Sequence, residues 1–178
     1  EAYPLELTNV RLPQFANERA LDPRVLALEG PNGAGKSTLA RVLTKELGAP
    51  LCLGTDEAWF SKPFKTRMIR DADWFSSAMF FLSGCFEQMR LIRERHEPLI
   101  IMDRSLWSTF AVHSAQDVTR LPRLVGMIQP IAPEIHAPQL TLVLEASFAT
   151  CQERIGNKEG EARALDELTA TEAFHNRE

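Results

Sequence analysis

The chain has 178 residues, 44% hydrophobic and 25% charged, with a formal net charge of −4 and an isoelectric point near 5.7. That length suits one domain with a real core. The lack of a basic excess excludes a general binder of nucleic-acid backbones or anionic membrane surfaces, so any phosphate recognition has to be local.

Residues 1–24 carry Pro4, Pro13 and Pro23 and one short apolar pattern, Leu5 to Val10. They are expected to form an N-terminal extension or linker with an edge strand, leaving residues 25–178 as the domain. Val25-Leu26-Ala27-Leu28 then reads as a strand that feeds Gly30-Pro31-Asn32-Gly33-Ala34-Gly35-Lys36-Ser37, after which Thr38 to Leu47 is helical and ends at Gly48, with Pro50 just beyond. The spacing G-x-x-x-x-G-K-[ST] has a mechanism. Its glycines let backbone N–H groups turn inward around phosphate oxygens at a helix N-terminus, Lys36 bridges β- and γ-phosphates, and the Ser37 hydroxyl holds Mg²⁺. Gly30, Asn32, Gly33, Ala34, Gly35, Lys36, Ser37 and Thr38 are thus the expected nucleotide cradle, with ATP and Mg²⁺ as its occupants.

Leu51-Cys52-Leu53 is a short buried strand closing at Gly54-Thr55-Asp56-Glu57, and in an open α/β sheet Asp56 and Glu57 fall where ligands bind. Lys62, Lys65, Arg67 and Arg70 follow, either as a clamp on an anionic acceptor or as a solvated basic face. From Asp73 to His96 apolar residues recur at helical spacing, with Trp74, Phe75, Ala78, Met79, Phe81, Leu82, Phe86, Met89 and Ile92 on the expected core stripe. Glu97 to Ser105 reads as a fully buried strand that delivers Asp103, the carboxylate that completes such a phosphate site by holding Mg²⁺.

A helix through Trp107, Phe110, Ala111 and His113 comes next. Leu121 to Ile131 is helix-like, and Leu140 to Leu144 is a further strand. A helix over Phe148 to Ile155 is interrupted at Gly156-Asn157-Lys158-Glu159-Gly160-Glu161 and resumes from Arg163. The interruption reads as a mobile lid bringing Arg154, Lys158 and Arg163 toward the phosphates, or as an exposed charged turn. Strands that are apolar without alternation, separated by helices, give an α/β fold with a parallel sheet between helical layers.

Cys52, Cys85 and Cys151 are odd in number and far apart, which fits reduced thiols. His96, His113, His136 and His175 lack metal-ligand spacing. No apolar run approaches the roughly 20 residues of a membrane span, and no charged-then-apolar segment opens the chain, so a cytoplasmic location is expected.

Glu29 to Thr38, Leu99 to Ser105, and Pro138 to Leu144 with Glu153-Arg154-Ile155 together resemble the thymidylate kinase and deoxynucleoside kinase group over roughly Val25 to Glu178. The resemblance implies the P-loop NTPase fold, a three-layer α/β/α arrangement with a helical lid. It implies phosphoryl transfer from ATP–Mg²⁺ to a nucleoside monophosphate, or alternatively to a nucleoside hydroxyl. Asp103 would serve Mg²⁺, Arg104 would hold a phosphate, and Arg163 to Glu167 with Phe174 are similar to the segment after the thymidylate kinase lid. For a hydroxyl acceptor, Glu57 or Asp56 is the candidate base; a monophosphate needs none. The expected partner is this small-molecule acceptor, with no nucleic acid or membrane, and a homodimer is an assembly the resemblance allows.

Thr55-Asp56-Glu57-Ala58-Trp59 replaces the Arg-Glu-Pro of thymidylate kinases and is closer to the Glu-Pro-then-Trp region of deoxynucleoside kinases. Gly84 to Gln88 lacks the Arg that both groups place before a Gln. A transporter-type ATPase shares the loop spelling, with Leu82-Ser83-Gly84 mimicking its signature, but Arg104 stands where its water-activating acid belongs and Leu82 to Gly84 lies inside a helix. A nucleotide-binding regulatory module is the remaining alternative.

Overall fold

The computed structural model describes residues 21–54, 60–135 and 137–157. Four parallel strands, β1 (Leu21–Glu29), β2 (Leu51–Leu53), β3 (Ile100–Asp103) and β4 (Ala137–Val143), lie in the order β2-β3-β1-β4. They alternate with α1 (Lys36–Leu47), α2 (Lys62–Arg70), α3 (Trp74–Arg93), α4 (Leu106–Ser114), α5 (Arg120–Ile128) and α6 (Phe148–Gly156).

The apolar runs of β1 and β3 do not alternate because both faces of the sheet are covered. Val25 and Ala27 pack with Cys52, Ile92, Ile100 and Met102, so that face meets α3. Leu26 and Leu28 pack with Ala40, Ala49 and Ile101, so the other meets α1. Ile100 and Ile101 are both fully buried on opposite sides, each contributing about 1.5–3 kcal/mol of apolar burial. A third cluster joins α3, α4 and α5 through Leu82, Met89, Phe110, Leu124 and Ile128.

Helix ends follow local chemistry. Gly48 takes a left-handed conformation (φ 63°) to stop α1, and the Asp73 carboxylate caps α3 by accepting from the N–H groups of Phe75 and Ser76. No helix among the described residues is long and apolar enough to cross a membrane.

Several expectations need correction. β1 begins at Leu21 rather than Val25, taking in Pro23 beside a register shift against β4 between Asp22 and Leu26, and residues 1–20 lie outside the described part. β3 is only Ile100–Asp103, since Pro98 has no N–H for a ladder and is exposed. α5 stops at Ile128 and Gln129–Glu134 tightens into a 3-10 turn containing Pro130 and Pro133. β4 is apolar but not buried: Leu140, Leu142 and Val143 are 38–55% exposed because β4 is the edge of the described sheet. On α3, Phe75 is 44% exposed, and Phe80 and Cys85 belong to the buried face.

Candidate active site

The loop between β1 and α1 presses against backbone on two sides. At Gly30 (φ 125°) a Cβ would stand 2.2 Å from the Leu144 carbonyl oxygen, and at Gly33 (φ 88°) it would stand 2.5 Å from the Cys151 carbonyl oxygen. Only a residue without a side chain fits there. The Ala34 N–H donates to the Pro31 carbonyl at 3.1 Å, closing the turn. α3, α4 and α6 are capped by Asp73, Ser105 and Ser147, whereas α1, which starts on Gly35, has no side-chain cap, and neither do α2 and α5. A helix N-terminus of that kind favours an anion through its N–H groups and its dipole.

Lys36 is 6% exposed and its Nζ donates to the Gly30 and Pro31 carbonyls at 2.5 and 2.7 Å, so the cation sits within the curve of the loop. Ser37 and Thr38 are exposed on the first turn of α1. From α6, Arg154 Nη1 reaches the carbonyls of Gly33 (3.1 Å) and Ala34 (3.2 Å). The structure therefore places Arg154 on a helix and against the outer edge of the loop.

β3 delivers its C-terminal end beside that loop, with Leu28 in register with Asp103. Asp103 Oδ1 is buried without a hydrogen-bond partner. An orphaned carboxylate oxygen at the end of β3 and the exposed Ser37 hydroxyl at the start of α1 make an all-oxygen donor set of the kind Mg²⁺ takes, so the residues fit that ion.

Arg104 turns the chain with φ 64°. Its Nη2 donates to Asn32 Oδ1 at 2.6 Å and its Nη1 to Ser108 Oγ at 2.8 Å. Glu29, 7% exposed, accepts from the Ser105 N–H (2.7 Å), the Ser105 hydroxyl (2.5 Å) and the Ser108 hydroxyl. Gln88 Nε2 donates to the Cys52 carbonyl at 2.9 Å, tying α3 to the end of β2.

The loop residues Gly30 to Thr38, with Asp103, Arg104 and Arg154, are thus brought together. Asp56, Glu57, Lys158 and Arg163 lie outside the described residues. The basic helix α2 buries no residue, and its Arg70 pairs with Asp71 at 2.7 Å. The cysteines do not suit nucleophilic chemistry. All three are buried, and burial pushes the Cys85 thiol up to about 11. Glu29 and its two serines were missed by sequence reasoning; the available signal was a carboxylate interrupting an apolar strand directly before the loop.

A family model described as an AAA domain matches residues 25–175. The chain belongs to that family. Three solved structures of deoxyadenosine kinase from M. mycoides share the fold of this AAA domain. The one with bound dATP is 19% identical with a TM-score of 0.67, over 86% of this chain and 81% of that one. Those with the products dCMP and a flexible dCDP, and with dCTP, have TM-scores of 0.65 and 0.62 at the same identity, over 86% of this chain and 80% of theirs. No curated protein matches the chain. The likeness fixes the P-loop NTPase arrangement of this AAA domain, with the parallel sheet between helices.

Proposed function

We propose that the chain is a kinase that transfers the γ-phosphoryl group of ATP to a nucleoside or a nucleoside monophosphate. The observation that carries this reading is the Arg104 guanidinium bound to Asn32 of the phosphate loop. A second fixed cation at the rim of the cradle suits a reaction in which charge develops on a transferring phosphoryl group, where positioning and neutralisation matter more than covalent steps. In that reaction Lys36 binds β- and γ-phosphate oxygens and the first turn of α1 orients them. Arg104 holds the acceptor side, and Ser37 with Asp103 would hold Mg²⁺, which supplies charge neutralisation on the phosphates when bound.

Of the two acceptors, a deoxynucleoside hydroxyl is the reading we favour. It is supported by the Glu57-Ala58-Trp59 stretch and by the fold shared with the deoxyadenosine kinase structures. Glu57 is then the proposed base, which typically contributes about 10²–10⁴ to rate. A monophosphate acceptor is supported by the similarity of Arg163 to Glu167 to the segment after the thymidylate kinase lid. The test is a product screen with ATP–Mg²⁺ against a panel of nucleosides and monophosphates, repeated with Glu57→Gln. Turnover of an unphosphorylated nucleoside, nearly abolished by Glu57→Gln, is the expected result. Turnover of monophosphates alone, indifferent to Glu57, selects the second acceptor, and phosphate release without any acceptor refutes the kinase.

A further inference from the structure

We propose that Glu29 is a positioning residue for Arg104: its carboxylate holds the junction of β3 and α4 in a left-handed turn and, through the Ser108 hydroxyl, aims the guanidinium at the phosphate loop. The catalytic consequence rests on the kinase reading, while the conformational part rests on geometry alone.

Arg104 is the one non-glycine residue with positive φ among the described residues, a conformation that an L-residue keeps only when its surroundings impose it. Here both flanking peptides are tethered to the last two residues of β1. On one side the Arg104 N–H donates to the Leu28 carbonyl at 3.0 Å. On the other the Ser105 N–H donates to Glu29 Oε1 at 2.7 Å. The first tether is backbone and independent of side-chain identity. The second exists only because position 29 carries a side-chain acceptor oxygen at this reach.

A hydrogen-bond relay then connects the same carboxylate to the far end of the arginine. Arg104 Nη1 donates to Ser108 Oγ, and the Ser108 hydroxyl donates to Glu29 Oε2. The polarity runs one way, since a guanidinium only donates and a carboxylate only accepts. Replacing Oε2 by an amide NH₂ would leave Ser108 facing two donors with no acceptor for its own proton, so an isosteric Glu29→Gln change breaks the relay. With Nη1 held by Ser108, Nη2 is directed to Asn32. A buried carboxylate is costly to keep unless it is fully hydrogen-bonded, and all its bonds to side chains and N–H groups named here serve this junction.

The test is a kinetic cycle of Glu29→Gln and Arg104→Ala. Misplacing a reacting-site group by about an ångström can cost 10²-fold, so Glu29→Gln is expected to lower kcat by about 10–100-fold, with KM for ATP changed far less because the loop keeps Lys36. In an Arg104→Ala background it should add less than about twofold, since Glu29 acts through that side chain. A loss from Glu29→Gln that persists in full without Arg104, or no loss at all, overturns the proposal. Should Glu29→Gln fail to fold, Ser108→Ala removes the relay hydroxyl alone and is put through the same cycle. A crystal structure of either variant decides the conformational part without turnover. Arg104 leaving positive φ or releasing Asn32 supports it, and an unchanged Arg104 refutes it. If the unaltered chain phosphorylates no acceptor, the kinase reading fails and the crystal structure still judges Glu29.

Discussion

Replacing Gly33 by Ala is the most direct probe of the phosphate loop, because the structure assigns two separate costs to one methyl group. The backbone there has φ 88°, and the new Cβ would lie 2.5 Å from the Cys151 carbonyl oxygen and 2.8 Å from its Cα. Holding a non-glycine residue in such a region costs about 1–3 kcal/mol. The contact is with backbone, so no side chain can swing away. Either the loop retreats, breaking the Arg154 bonds to Gly33 and Ala34, or the first turn of α6 moves with the buried Cys151. Overpacking of that kind adds about 1–3 kcal/mol. A total of about 2–6 kcal/mol lowers Tm by about 4–24 °C in a chain of this size.

Thermal unfolding with and without ATP–Mg²⁺ checks this twice. Ligand at 100 times its Kd stabilises by about 2.7 kcal/mol, and that increment should collapse in the variant. Gly126→Ala is the control. Gly126 is exposed within α5, where an added Cβ would meet nothing within 4 Å, and Ala is favoured there by up to about 1 kcal/mol, so Tm should hold or rise. Gly33→Ala melting within about 2 °C of the parent, with the full nucleotide shift, refutes the reasoning.

Lys36→Ala should lower phosphoryl transfer by about 10²–10³, the usual loss for a fixed charge at a developing oxyanion, with a far-ultraviolet spectrum that matches the parent. Asp103→Asn should raise the Mg²⁺ concentration needed for half-maximal turnover while sparing metal-free ATP affinity, measured by calorimetry in a chelator. His113 predicts an acid dependence. Burial between α3 and α4 pushes its pKa below the ordinary 6.5, with Arg120 acting in the same direction. The unfolded chain therefore takes up a proton that the folded chain resists, so stability present above pH 6.5 is lost as pH falls below it. Urea midpoints from pH 7 to 5 should show that loss, and His113→Gln should flatten it; an equal slope in both proteins contradicts the assignment.

The phosphate loop was legible because its spelling is local: glycines, lysine and serine at set offsets describe a contiguous piece of backbone. α1 and α6 were legible for a similar reason, since the end of α1 is written at Gly48 and the start of α6 in Ser147 and Phe148. What could not be read came from packing between distant segments. Apolar Leu140 and Val143 look like core residues until the strand order puts β4 at an edge of the described sheet. Arg154 reads as a lid cation by its charge and position. Its bonds to the Gly33 and Ala34 carbonyls span about 120 residues and have no sequence signature. Glu29 is the same case. A carboxylate ending an apolar strand marks Glu29 as unusual, but its role is not readable until Ser105 and Ser108 are seen beside it.

The strand order also has a consequence for how the chain is made. Among the described strands β1 is translated first, yet Leu28 finds its partner in Asp103, seventy-five positions later, and on its other side pairs with β4, which begins at Ala137. A ribosome adding roughly 5–20 residues per second leaves β1 without either of its described neighbours for about 4–15 s. During that interval the described elements it can pack on are α1, β2 and α3, which supply Ala40, Cys52 and Ile92. The loop that joins β1 to α1 is thus translated well before the strand that delivers Asp103 and Arg104 beside it.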